Sequence, residues 1–197
     1  MDVVLVPGFL NGPWVMRKVA GCLRDAGHEC HLLPLAPSDG RGGLERQSAR
    51  LATFVGKMIP DNQVFAVVAF SMGALVARHY LQSRVNDGRA KAFFSIAGPH
   101  KGTYSANLYS SLGVREMRSG SKFLSDLDAG SRFLENLSTT SYWTPFDLMV
   151  RPVSSAILPV GENVRIPALL HTLLLFDARL HKDLIRRLAV VTPDPLA

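Results

Sequence analysis

The chain has 197 residues, 47% of them hydrophobic, with a formal net charge of +6 and a mean hydropathy of +0.14, which is enough for one domain with a sizeable core. No run approaches the roughly 18 consecutive apolar residues that a membrane span requires. The sequence pI is near 9.7, yet Lys and Arg are spread from Arg17 to Arg187 without a dense block, so the charge reads as a basic surface and no nucleic-acid partner is expected.

The first element begins almost at once. Asp2-Val3-Val4-Leu5-Val6 reads as a buried strand, with no basic region and apolar core ahead of it of the kind a secretory signal carries, so such a signal is absent or was removed by processing before secretion. A cytoplasmic, reduced protein is the resulting expectation, with Cys22 and Cys30 as buried thiols and a disulfide between them as the alternative. Residues 13–26 follow as a helix with Trp14, Val15, Val19, Cys22 and Leu23 on its apolar side, ended by Gly27. The pattern then repeats: strand over 28–33, helix over 44–58, a continuous apolar strand over 64–69, helix over 73–83 and strand over 91–97. Strands alternating with helices of this length predict a mainly parallel sheet with helices on both faces. Ligands of such sheets bind outside the carboxyl ends of the strands, where Gly8, Ser71 and Gly98 would gather.

Over residues 103–139 the alternation lapses. Leu108, Tyr109, Leu112, Val114, Met117, Phe123, Leu124, Leu127, Phe133, Leu134 and Leu137 are interleaved with Arg115, Arg118, Lys122 and Arg132, which predicts a helical insertion, either a cap over an apolar pocket or an ordinary surface pair of helices. Strand character returns over 140–143 and 164–170, and a helix over 178–190 closes the pattern. With no repeat, low-complexity stretch or linker, residues 1–197 read as a single domain.

The sharpest local feature is Ala69-Phe70-Ser71-Met72-Gly73, which stands where the apolar strand breaks into a helix. A strand-to-helix elbow of the small-x-Ser-x-Gly form leaves no room for side chains where the backbone crosses, so the serine is forced outward as a nucleophile. An ordinary capping serine is the plain alternative. A nucleophilic serine needs a histidine base oriented by a carboxylate, and in this sheet type the chain order is nucleophile, acid, histidine. His28 and His31 precede the serine, His79 lies on the following helix and His181 is in the last helix. Of the remaining two, His100 follows the strand after the elbow and His171 follows the last predicted strand; order favours His171. Asp147, in Trp143-Thr144-Pro145-Phe146-Asp147-Leu148, is the acid that precedes it on a loop, with Glu162 in reserve.

The elbow run Ala69 to Arg78, together with Val4-Leu5-Val6-Pro7-Gly8-Phe9 upstream, resembles the α/β-hydrolase superfamily and, within it, the small bacterial triacylglycerol lipases and esterases. Ser95-Ile96-Ala97-Gly98-Pro99-His100-Lys101-Gly102-Thr103 is similar to a turn those enzymes carry, Thr144 to Val150 is similar to their acid loop, and His171 falls where their histidine is expected. The sequence departs from the pattern at Ala69, Phe70 and Pro7, none of which removes a catalytic group. By this resemblance the chain is expected to begin at what is the third strand of the full fold.

The resemblance implies a minimal α/β-hydrolase fold with a short helical cap. It further implies ester hydrolysis through Ser71, His171 and Asp147 by way of an acyl-enzyme, with the backbone N–H groups of Phe9 and Met72 as the oxyanion hole. Phe9, Leu10, Phe70, Met72 and His100, with the insertion, are the expected walls of the substrate pocket. No cofactor and no metal is implied. A small ester or lipid is the expected partner; transient contact with a lipid interface is left open, as is oligomeric state. The alternatives are acyl transfer or thioester hydrolysis on the same residues, or a binding module that retains the fold without catalysis.

Overall fold

The computed structural model describes residues 1–83 and 88–191. Its centre is a run of strands with almost no polar side chains: β1 (Asp2–Val6) and β3 (Phe65–Phe70) lie side by side, and all six residues of β3 are buried. With β2 (Glu29–Leu32), β4 (Ala90–Ile96), β5 (Ser138–Trp143) and β6 (Glu162–Arg165) they form a parallel sheet in the order β2-β1-β3-β4-β5-β6. Because successive side chains of a strand point to opposite faces, each central strand feeds two cores. Val4, Val6, Phe65, Val67 and Ala69 enter one, and Val3, Leu5, Ala66, Val68 and Phe70 enter the other.

Helices cover both faces. On the first lie α2 (Leu44–Met58), through Leu44, Leu51 and Val55, and α3 (Met72–Gln82), which is buried along nearly its whole length. On the second lie α1 (Arg17–Asp25), through Val19, Ala20 and Leu23, and α6 (Ala178–Val191), through Leu180, Leu184 and Leu188. The apolar spacing of three and four residues that predicted these helices is the spacing that meets the sheet.

Three sequence expectations change. Residues 13–26 do not form one helix: Pro13–Met16 is a 3₁₀ turn, and α1 begins at Arg17. Trp14 is 59% exposed instead of facing the core. Its indole folds back over Gly12, occupying the space a Cβ there would need. The last strand is β6 at Glu162–Arg165, not 164–170. After it Ile166 N donates to Trp143 O (2.8 Å) and Ala168 N to Ile166 O (2.8 Å), so the chain turns out of the sheet around Pro167, which has no N–H to continue a ladder.

The insertion over 103–139 contains α4 (Leu112–Glu116) and α5 (Lys122–Ala129), flanked by 3₁₀ turns at Tyr104–Leu108 and Ser131–Asn136. Much of it joins the first helical layer instead of capping the site. Phe123, Leu124, Leu127 and Leu134 enter the same core as α2 and α3. Arg78 on α3, fully buried, donates to Leu127 O (2.9 Å) and Asp128 Oδ1 (2.9 Å), and Glu116 Oε2 accepts from Leu44 N at the start of α2 (2.6 Å). Cys22 and Cys30 are both free thiols; burial pushes that of Cys30 up to about 11.

Candidate active site

Ser71 is the junction between β3 and α3, with φ 55° and ψ −124°, a conformation that costs a non-glycine residue on the order of 1–3 kcal/mol and persists only where its surroundings enforce it. The enforcement is visible. Ser71 N donates to Ile96 O at the end of β4 (2.8 Å), locking the elbow to the neighbouring strand. A Cβ at Gly73 would lie 2.3 Å from Pro7 O and 2.8 Å from Val6 O, and one at Gly8 would lie 3.0 Å from Ser71 Cβ. The loop after β1 and the first turn of α3 therefore cross at backbone distance, and only residues without side chains fit.

Two backbone donors border the serine. Met72 opens α3, so its N–H has no acceptor within the helix. Phe9 sits in the loop after β1, where Asn11 Nδ2 donates to Phe9 O (2.8 Å) and Leu10 N to Ser38 O (2.9 Å), both fixing the Phe9–Leu10 peptide, while Asn11 N donates to Gly8 O (3.3 Å) in the peptide that carries the Phe9 N–H. Among the described residues the Phe9 N–H has no hydrogen-bond acceptor.

Asp147 and His171, 24 residues apart, meet at 2.7 Å through Asp147 Oδ2 and His171 Nδ1, and both are buried. The other carboxylate oxygen of Asp147 accepts from Met149 N and Val150 N, each at 2.8 Å. The acid loop is thus wound around its own aspartate, leaving one oxygen for the histidine. Thr144, which nothing in the sequence singled out, joins the two loops: its buried hydroxyl donates to Ala168 O (2.5 Å), three residues before His171. Glu162, the reserve acid, opens β6 at the opposite edge of the sheet and pairs with Arg187 (2.7 Å).

The His171 ring packs on Phe70, the residue before the serine, with centroids 4.7 Å apart. Among the described residues no hydrogen bond joins His171 to the Ser71 hydroxyl. The acid–histidine contact is formed, and the histidine stands beside the elbow without yet engaging it.

Ser71 lines a small cavity of about 50 Å³ whose walls include Phe9, Ala106, Val114, Met117, Met149 and Val150. Of the expected walls, Phe9 and the insertion line it, whereas Leu10, Phe70, Met72 and His100 do not. Phe70 points into the core beneath the elbow. Leu10 lines a separate outer cleft of about 310 Å³. His100 is 1% exposed, with Nε2 2.7 Å from Ser95 Oγ; burial, with the Arg78 charge nearby, holds its pKa well below the ordinary histidine value. The actual walls come from the start of the insertion and the end of the acid loop, brought together where Thr103 Oγ1 donates to Met149 O (2.7 Å) and accepts from Arg151 N (3.0 Å). The amphipathic spacing of the insertion was the one signal that pointed to them.

No protein-family model and no curated protein matches the sequence. Solved structures do match the fold. They include Aspergillus fumigatus lipase B (21% identity, TM-score 0.72, 88% of this chain and 49% of that one), a metagenomic carboxyl esterase (20%, 0.72, 87% and 64%), and the mature form of a Bacillus licheniformis lipase (13%, 0.79, 97% and 91%). The fold is that of the α/β-hydrolases. The chain spans about half and about two thirds of the lengths of the first two.

Proposed function

We propose that the protein is a serine hydrolase that cleaves carboxylic esters. The observation that carries this reading is the Asp147–His171 hydrogen bond standing beside a serine held outward on a strained elbow. Ser71 Oγ attacks the ester carbonyl as His171 Nε2 takes its proton, and Asp147 holds the imidazole with its other proton on Nδ1 and stabilises the imidazolium. The tetrahedral oxyanion is met by the N–H groups of Phe9 and Met72. Collapse expels the alcohol, which leaves with the proton from His171, and gives an acyl-enzyme; water, deprotonated by the same histidine, then releases the acid. The missing Ser71–His171 bond does not conflict with this role, because catalytic hydrogen bonds are often long in unliganded sites and tighten with substrate.

The surroundings favour an apolar ester. Leu10, Tyr104, Leu108, Leu148, Leu169 and Leu170 are all at least half exposed, on loops that leave the carboxyl edge of the sheet or on the insertion. Exposed apolar side chains on the elements around a site favour an interaction surface, consistent with substrate presented from a lipid interface.

The test is labelling by a fluorophosphonate, with the adduct mapped by mass spectrometry. Wild-type protein is expected to label at Ser71, Ser71→Ala not at all, and His171→Ala slower by orders of magnitude. A folded wild-type protein that does not label would overturn the reading and favour a binding module.

A further inference from the structure

The inner cavity beside Ser71 and the outer cleft share two walls, Phe9 and Tyr109. Their rings meet edge to face, with centroids 5.2 Å apart and planes at 69°, so the two spaces abut at an aromatic contact. We propose that this Phe9–Tyr109 contact is a gate that sets acyl-chain length: closed, it confines the acyl group to the inner cavity, and opened, it admits a longer chain into the outer cleft. The inference rests on the ester-hydrolase reading and names the specificity within it.

The volumes set the division. About 50 Å³ is room for only a few water-sized groups, which suits a short acyl group of roughly two to four carbons. The outer cleft of about 310 Å³ is lined by the apolar Phe9, Leu10 and Tyr109 and by the polar Asp39, Arg41, Ser110 and Ser111. Asp39 and Arg41 pair with each other at 2.6 Å, so the polar lining presents a neutralised pair to an acyl tail.

The moving part is a side chain and not the insertion. Arg118 donates from Nη2 to Tyr109 O (2.9 Å) and from Nε to Ala106 O (3.1 Å), pinning the backbone on both sides of the segment. Phe9 is pinned in turn by Asn11 and by the neighbouring Leu10–Ser38 bond. The Tyr109 side chain, 47% exposed, is the member of the pair with open space to swing into.

The experiment compares kcat/KM for p-nitrophenyl butyrate and octanoate in the wild-type chain, Tyr109→Ala, Tyr109→Phe and Tyr109→Trp. Wild type is expected to favour butyrate, and Tyr109→Ala to raise the octanoate-to-butyrate ratio about tenfold or more, the scale of discrimination one or a few methylenes in an apolar pocket supply. Tyr109→Phe should keep the wild-type ratio, since the ring and not the hydroxyl closes the gate, and Tyr109→Trp should lower it. An active wild-type enzyme that favours octanoate, or whose ratio stays within about twofold in both Tyr109→Ala and Tyr109→Trp against that expected scale, overturns the gate while leaving ester hydrolysis standing. A chain that hydrolyses neither ester and leaves Ser71 unlabelled overturns both.

Discussion

The elbow around Ser71 and the loops that carry Asp147 and His171 lie side by side, His171 packing on Phe70, but are held by different physics. The elbow is fixed by exclusion: a strained serine, a glycine at Gly73 with no room for a Cβ and one at Gly8 where a Cβ would be tight, and a strand buried on both faces. The loops are fixed by donors and acceptors. Asp147 is wound into its own turn by two backbone N–H groups, Thr144 holds the carbonyl of Ala168, and Thr103 ties the insertion to the acid loop. The elbow therefore has little room for an added atom, whereas the two loops depend on their hydrogen bonds.

The sharpest test of the second half of that contrast is Asp147→Asn. The amide oxygen can keep both bonds to Met149 N and Val150 N, which leaves the NH₂ group facing His171 Nδ1. That nitrogen must then accept, the ring proton moves to Nε2, and the base toward Ser71 is lost. A fall in kcat of about 10⁴ with the fold intact is expected, measured by ester hydrolysis alongside circular dichroism; a fall under about tenfold would mean that Asp147 does not orient the base.

Gly73→Ala tests the first half. A Cβ 2.3 Å from Pro7 O meets backbone, not a flexible side chain, so the crossing must open. Destabilisation of about 3 kcal/mol is expected, read as a lower denaturant midpoint. An unchanged midpoint would show that the crossing is looser than the geometry states. Thr144→Val, by contrast, adds no volume and removes the buried hydrogen bond to Ala168 O together with the longer one accepted from Phe146 N (3.3 Å). The loss corresponds to about 1–2 kcal/mol, expected mainly as a decrease in kcat of about tenfold as the His171 loop drifts from Asp147. A matching loss of stability with kcat preserved would make Thr144 merely structural.

The same contrast explains what was legible in the sequence. Elements that bury a continuous apolar face, such as β1, β3 and α2, announce themselves by period, and the α2 limits read from the pattern coincide with Leu44–Met58. The elbow was legible because sterics dictate residue type. Asp147 and His171 were placed by chain order and resemblance, since a loop held by hydrogen bonds carries no periodic signal. The cavity walls were misread in part, for a related reason. Phe70 and Leu10 are neighbours of the site in sequence, but a strand sends alternate residues to opposite faces, which put Phe70 in the core. Val114 and Met117 reach the cavity from an insertion whose path no local rule specified.

His100 gives the smallest effect and separates packing from catalysis. It was a sequence candidate for the site, yet it is buried against Ser95, and burial together with the Arg78 charge depresses its pKa well below the ordinary value. A histidine whose folded pKa lies below its unfolded one binds fewer protons in the native state. Stability should therefore be full at neutral pH and fall as pH drops below about 6.5, with a slope of about 1.4 kcal/mol per pH unit for this one proton. His28 and His79 are shifted in the same direction, mainly by burial, and add to the slope. Replacing His100 by Gln, whose Nε2 can still reach Ser95 Oγ, should remove its share of the acid sensitivity, measured by urea unfolding at about pH 7 and about pH 5. An acid slope identical in wild type and variant would show that His100 is protonated in the fold as readily as in the unfolded chain, and that its burial carries no electrostatic cost.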